Sequence, residues 1–365
     1  MNISSKKIDI VIPSFRLNES YLLPLLSLHQ PANWQFNYFI IVDNPVVQVP
    51  PIIEEMARNG EITLHINEKN LGASESRNKG ISMGSAEWIL FLDDDVVANA
   101  DLLHQYAQAI ESYPYEIGFI GLTDFPEPVN AYTTGLEIGH LSHFRIAQRK
   151  EKFTWGVTAN MLYRRSSLGE LRFSTLFPKS GGGEDIDLPL RVCLQHNREF
   201  RCIEEAKVTH PWWNQGKTDY ERFVRYGMGS GYLLFFHRHR TYFDFANPVE
   251  SLILLTLFSP ILIPAFGWPT WLLYIVSVPL FEWVISFLKV SSKGFKSPLT
   301  AYYMAMVKSS FEFGVVLTLI KEKKFSYFMK RINPTFSRSQ HFRLNKWKII
   351  KLSLYLVMTL YLIIR

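Results

Sequence analysis

The chain has 365 residues, of which 47% are hydrophobic and 15% aromatic, so it can bury one large domain or two smaller ones and is not a disordered tail. Its 39 basic residues against 33 acidic ones give a formal charge of +6, and the excess gathers near the C-terminus, which points to a membrane surface and away from nucleic acid. Cys193 and Cys202 are too few and too isolated for a disulfide framework or a zinc site, and read as reduced thiols. Lys6 and Lys7 precede an apolar run broken by Pro13. That run is too short for a signal-peptide core, so the domain it opens is expected to stay in the cytoplasm.

In chain order, Ile8–Ile12 reads as a first strand closed by Pro13 and Ser14, which cannot continue a central ladder. A helix over Glu19–Leu28 follows, then a second strand over Tyr38–Val42 with Asp43 at its carboxyl end. Asp43 is either an acceptor for a base or ribose hydroxyl or the start of an Asx turn into Pro45. Ile62–Ile66 is a third strand, and Asn70-Leu71-Gly72 a turn into a helix over Ala73–Met83. Within that helix, Arg77 offers a planar fork for a diphosphate, or forms an ordinary salt bridge. Trp88–Leu92 is short, continuous and apolar, as a strand buried on both faces should be.

Three adjacent carboxylates, Asp93, Asp94 and Asp95, stand at the end of that strand. Asp93 and Asp95 alternate with Asp94 along extended backbone, so both can face a hard divalent cation; the competing reading is a solvated acidic turn that caps the next helix. The spacing of Asn70, Gly72, Arg77, Asn78, Gly80, Ile81 and Ile89 to Asp95 resembles the core signature of family 2 glycosyltransferases. That resemblance implies a GT-A fold, meaning a Rossmann-like α/β domain built on a mainly parallel sheet. It also implies that Pro13, Phe15, Asn70, Gly72, Arg77, Asp93 and Asp94 surround the nucleotide, with Asp43 binding its base. The chain departs from the family in having Asp43-Asn44-Pro45 and Ser14-Phe15-Arg16, which bears on the choice of base. Implied cofactors are Mg²⁺ or Mn²⁺ and a UDP- or dTDP-sugar donor.

A helix over Leu102–Ser112 and a strand over Gly118–Leu122 continue the alternation. From Asp124 to Lys152 periodicity fails, and a long loop over the active face is expected. An extended run over Trp155–Tyr163 should rejoin the sheet. Gly181, Gly182 and Gly183 then precede Glu184, Asp185 and Asp187, with Arg191 one turn on; they suit close ligand approach at a helix N-terminus or, alternatively, a flexible loop with an acidic cap and an Asp187–Arg191 pair. Gly183 to Arg191 resembles the second family motif, which implies that Asp185 is the general base of an inverting enzyme. His210, after a strand near Phe200–Ile203, is similar to the family's late histidine, implying a third metal ligand beside Asp93 and Asp95. Trp212, Trp213 and Tyr226 are candidates for stacking on sugars or marking a membrane interface.

Composition changes after Asn247. The expected organisation is a catalytic domain over residues 1–245 and a membrane-associated helical region over 246–365. The second comprises an apolar hairpin at about 250–288, an interfacial helix at about 299–320 holding Lys308 and Glu312, a basic segment over 321–348 and a last apolar helix over 349–365. The family resemblance, with this apolar and basic tail, implies a membrane-associated, inverting, metal-dependent glycosyltransferase at the cytoplasmic face of the inner membrane. Its partners would be a nucleotide-sugar, a lipid-linked or growing surface-glycan acceptor, anionic lipids and other polysaccharide-assembly proteins. A sugar nucleotidyltransferase is the first alternative, but Ile12–Arg16 contains no glycine for a triphosphate loop. A non-catalytic membrane scaffold is the second.

Overall fold

The structure, a computed structural model, describes residues 6–333 and 342–364, so residues 334–341 of the expected basic segment lie outside the described residues. The chain runs β1 (Lys6–Ser14), α1 (Glu19–Leu26), β2 (Trp34–Val42), α2 (Pro51–Arg58), β3 (Ile62–Ile66), α3 (Ala73–Met83), β4 (Trp88–Leu92), β5 (Val97–Ala98), α4 (Leu102–Ser112) and β6 (Gly118–Asp124). It continues with α5 (Ala131–Gly139), β7 (Lys152–Phe153), β8 (Asn160–Arg164), α6 (Arg165–Leu168), α7 (Glu184–His196), β9 (Phe200–Thr209) and α8 (Tyr220–Phe236). Last come β10 (Thr241–Phe243), α9 (Pro248–Leu257), α10 (Ser259–Phe266), α11 (Trp268–Ser291), α12 (Pro298–Lys321), β11 (Lys330–Ile332) and α13 (Lys346–Ile364). Two compact units result: residues 1–127 with 141–215, and residues 128–140 with 216–365.

The first unit is organised by a nine-stranded sheet in the order β3-β2-β1-β4-β8-β6-β9-β5, with β7 also on β9. β1 to β4 pair in parallel, and β8 runs antiparallel to both β4 and β6. All five residues of β4 are buried, because Trp88–Leu92 is apolar on both faces and helices cover both sides. Parallel pairing places the carboxyl ends of β1, β2 and β4 along one edge, and with them Ser14, Asp43 and Asp93. Asp9 is a fully buried carboxylate in β1, compensated by Arg165 at 2.6 Å, the Asn37 amide at 2.9 Å and the Ala86 N–H at 2.8 Å.

The stretch 124–152 is not the continuous loop expected. It contains α5, opened by a capping box in which Asn130 accepts from the Thr133 N–H and the Thr133 hydroxyl accepts from the Asn130 N–H. Gly135 and Gly139 weaken the helical pattern in sequence, and they are small because Thr300 and Met304 of α12 lie against them.

The second unit is helical. Residues 216–245, grouped by sequence with the catalytic half, pack here instead, because the glycines of α8 let α12 approach backbone to backbone. A Cβ on Gly227 would overlap the Phe311 carbonyl, and one on Gly314 the Val224 carbonyl. The Thr318 hydroxyl donates to the Met228 carbonyl at 3.0 Å across the same seam. Replacing Gly227 with alanine is therefore expected to destabilise this unit by about 1–3 kcal/mol, despite alanine's better helix propensity of about 1 kcal/mol. Thermal unfolding of the full chain checks this, and an unchanged or raised transition would contradict it.

Candidate active site

Asp43 is buried and its carboxylate organises the turn that follows β3. Oδ1 accepts from the Asn67 amide at 2.9 Å and the Leu71 N–H at 2.8 Å, and Oδ2 from the Gly72 N–H at 2.7 Å. Three of its roughly four acceptor positions are thus occupied by the protein itself. Gly72, at φ +94°, lies so close to the next loop that a Cβ would sit 2.8 Å from the Lys179 Cα. The Ala73 N–H donates to the Lys179 carbonyl at 2.9 Å, and the Lys179 ammonium returns a bond to the Asn70 carbonyl at 2.9 Å. The turn is thereby tied to the loop that leads into α7.

That loop carries Gly181, Gly182 and Gly183 at φ +88°, +129° and +96°, a left-handed run that residues with a Cβ adopt only under strain. It delivers Glu184 and Asp185 to the N-terminus of α7, where the backbone dipole favours negative charge. Glu184 is buried, accepts from the Gly182 N–H at 2.6 Å and meets Arg77 at 3.3 Å. Arg77, also buried, reaches the other way to Asp93 at 2.9 Å. One guanidinium therefore joins the strand-end triplet to the start of α7, and its Nε has no partner among the described residues. Asp187 pairs with Arg191 at 2.7 Å, one helical turn apart. Burial and the neighbouring Glu184 push the Asp185 carboxyl up to about 7, while Arg77 and backbone N–H groups oppose the shift.

The three carboxylates of the triplet have different surroundings. Asp93 faces Arg77. Asp94 accepts from the Ser14 hydroxyl at 2.6 Å; burial pushes it up to about 6, against that hydrogen bond and with added repulsion from Asp95 and Asp93. Asp95 lies 4.0 Å from Arg16 and 3.4 Å from His210. Two-residue β5 brings these last two together, because Val97 pairs with Thr209 in β9 and so sets the residue after Thr209 beside the triplet. His210 Nδ1 lies 2.7 Å from the Pro211 carbonyl, and its Nε2 faces the Asp95 oxygen.

Ligand atoms of Asp93, Asp95 and His210 all lie within 4.8 Å of one another. Two carboxylate oxygens and an imidazole nitrogen form a donor set that suits Mg²⁺ or Mn²⁺. Outer-sphere partners of metal ligands typically cost 10–100-fold in affinity when removed. If His210 is one of the ligands, His210→Ala is expected to weaken Mn²⁺ binding by about that factor or more; equal affinity by calorimetry would remove His210 from the set.

Pro13 is half-buried in β1, and Phe15 just beyond it is 50% exposed at the same sheet edge. Two contributors had no clear signal in sequence. Ser14 reads in sequence as a strand stop, yet its hydroxyl donates to Asp94. Glu184 was visible as an acid beside Asp185, but its contact with Arg77 spans 107 residues and no local pattern encodes it. Around His210, Phe125 stacks at 5.5 Å and Trp213 sits edge-on at 5.8 Å between ring centres. Trp212 is buried and donates to the Glu127 carbonyl at 3.1 Å, so both tryptophans pack within the first unit.

The sequence model of the family described as Glycosyl transferase family 2 matches residues 9–172. Over those residues the chain is similar to family 2 glycosyltransferases. The match takes in Asp43, Arg77 and the triplet, and stops short of Asp185 and His210, whose placement rests on the geometry above. An uncharacterized glycosyltransferase of Haemophilus influenzae is 33% identical over 113 residues, 31% of this chain and 37% of that one. A glucosyl-dolichyl phosphate glucuronosyltransferase of Haloferax volcanii is 24% identical over 123 residues, 33% of this chain and 39% of that one. The chain therefore matches little more than a third of the length of these curated relatives. Among solved structures, residues 1–349 of S. aureus TarS in complex with UDP-GlcNAc align at a TM-score of 0.45 and 15% identity, over 87% of this chain and 92% of that one.

Proposed function

We propose that this family 2 domain is an inverting, metal-dependent glycosyltransferase, moving a sugar from a nucleotide-diphosphate donor to a lipid-linked or growing surface glycan at the cytoplasmic face of a membrane. The observation that carries the reading is the meeting of Asp93, Asp95 and His210, joined through the buried Arg77 to Glu184, the residue before Asp185 at the start of α7. The three ligands would hold Mg²⁺ or Mn²⁺, which when bound neutralises charge on the departing diphosphate. Arg77 fixes Asp93 in place and keeps Asp185 ionisable near neutral pH. Asp185 accepts the proton of the acceptor hydroxyl as the new C–O bond forms, the work of a single base in a one-step displacement with inversion. Pro13, Phe15, Asn70, Gly72 and Asp94 line the nucleotide side, with Phe15 offering an open aromatic face to the base and Asp43 its remaining acceptor position.

A UDP- or dTDP-sugar is the donor class this reading names. The Haloferax volcanii relative is described as acting on a dolichyl phosphate derivative, which supports a lipid-linked acceptor. Three helices among the described residues, Trp268–Ser291, Pro298–Lys321 and Lys346–Ile364, are long and apolar enough to cross a membrane, which supports membrane attachment. The test is to incubate membranes carrying the chain with a panel of radiolabelled nucleotide-sugars and to follow label into the lipid extract. Metal-dependent labelling from one donor is expected. No labelling from any donor, together with no nucleotide binding, would support a scaffold, and net formation of nucleotide-sugar from sugar phosphate a nucleotidyltransferase.

A further inference from the structure

The three apolar helices do not share one environment. α12 holds Lys308 near its midpoint, and half of its apolar window is buried inside the protein, whereas none of the α13 window is. Along α12 runs α8, seated through Gly227 and Gly231, and α8 bears Glu221, Arg222 and Arg225. If α12 crossed a bilayer, those charges would have to enter hydrocarbon beside it, each at a cost of roughly 2.5 kcal/mol or more near the bilayer centre. α12 is instead the support on which the other helices stand.

Charges on α9, α11, α12 and α13 form one band. Glu282 of α11 is buried and meets Lys308 at 2.6 Å and Lys351 at 2.8 Å. Glu312 lies 3.5 Å from Lys308, and Glu250, at the start of α9, meets Arg331 at 2.6 Å. Beyond the band, α11 and α13 run antiparallel. Lys351 is beside Glu282, Tyr355 packs on Phe281 at 4.8 Å between ring centres, and Thr359 bonds Tyr274 at 2.7 Å. Most exposed apolar side chains of α11 and α13 lie on that side, among them Trp268, Leu273 and Val276 of α11 and Leu356, Val357 and Ile363 of α13, with Leu288 and Ile349 the exceptions. α9 and α10, bent by 74°, lead to the turn between Phe266 and Trp268, each 64% exposed. An apolar groove of about 360 Å³ between Leu254, Phe258, Leu262, Tyr274 and Tyr355 opens in the same region.

From Trp268 to Phe281, and from Leu352 to Ile364, the rise is about 20 Å. That length matches one leaflet with its headgroups and falls short of a full hydrocarbon core of about 30 Å. Lys289 in the last turn of α11, Lys293 and Lys296 after it, and Lys346 and Lys348 opening α13 stand at the other side of the band, where anionic lipid phosphates would meet them. Resting on the membrane reading above, we infer that this unit enters a single leaflet: α9–α10, the first half of α11 and the outer part of α13 dip into hydrocarbon, and the Glu282–Lys308–Lys351 band stays at phosphate level. The occupant of this apolar surface is the acyl layer of an anionic membrane, and no helix crosses it.

The test uses the full chain with Cys193 and Cys202 changed to serine and single cysteines at Trp268→Cys, Tyr361→Cys and Lys293→Cys, the two tip positions guarding against one variant that misfolds. In intact bacterial spheroplasts, a membrane-impermeant maleimide added outside should label none of the three, and lysis should raise labelling several-fold at position 293 only. Fluorophores at 268 and 361, in vesicles of phosphatidylglycerol and phosphatidylethanolamine, should be quenched most by nitroxides deep on the acyl chain. Labelling of 268 or 361 from outside would overturn the one-leaflet inference while leaving membrane attachment intact. A chain recovered without membranes and unquenched at every depth would overturn both.

Discussion

Asp185→Asn is expected to lower the turnover of sugar transfer by about 10²–10⁴-fold while leaving donor binding within a fewfold of wild type, since the amide keeps the shape but cannot take the acceptor proton. The wild-type rate carries a second signature. Burial and Glu184 hold the Asp185 carboxyl up to about 7, and only its ionised form is a base, so activity should rise as pH increases through that value and level off above it. Initial rates across pH 5.5–8.5, with donor binding measured in parallel, check both points. Near-native turnover in the asparagine variant, or a flat profile with wild-type chain, would take the proton-transfer role away from Asp185.

Arg77→Met carries the largest expected effect on stability. The guanidinium is buried between Asp93 and Glu184, and its loss leaves Glu184 as an uncompensated charge in a site where it is only 4% exposed. Breaking a buried pair of this kind costs about 3–5 kcal/mol, a fall in melting temperature on the order of 10 °C. Adding Glu184→Gln should recover a large share of the loss, because the uncompensated charge goes with it. Arg77 also pulls the Asp185 carboxyl downward, so whatever activity survives in the single variant should need a higher pH than wild type. A melting temperature unchanged by Arg77→Met would mean that the guanidinium contributes nothing to holding the site together.

Much of this site was legible in one dimension because its parts announce themselves locally. A continuous apolar run such as Trp88–Leu92 can only be a buried strand, and charges set at the end of one must find partners. Gly72 and the Gly181–Gly183 run mark places where backbone comes close or turns left-handed, which the structure bears out at both. What sequence could not supply was pairing at a distance. β5 has two residues, too few for any periodic signal, yet its pairing with Thr209 is what carries His210 to Asp95. α5 stayed hidden because its two glycines serve contact with α12 and not helix propensity. The glycines of α8 likewise serve a close crossing with α12, a contact at a distance that no local pattern encodes. Along α12, Lys308 and Glu312 signalled an unusual environment, but only the structure supplies Glu282 and Lys351 as their partners in the band.

The claim beneath all of this is that the strand-end triplet, His210 and the start of α7 form one donor site completed by a divalent cation. Calorimetric titration of UDP into the full chain, with and without Mn²⁺, and into the Asp95→Asn and Asp185→Asn variants, tests it most directly. The account predicts binding that requires Mn²⁺, is lost or weakened at least tenfold in Asp95→Asn, and persists in Asp185→Asn. Equal UDP affinity without the metal, or in Asp95→Asn, would contradict it.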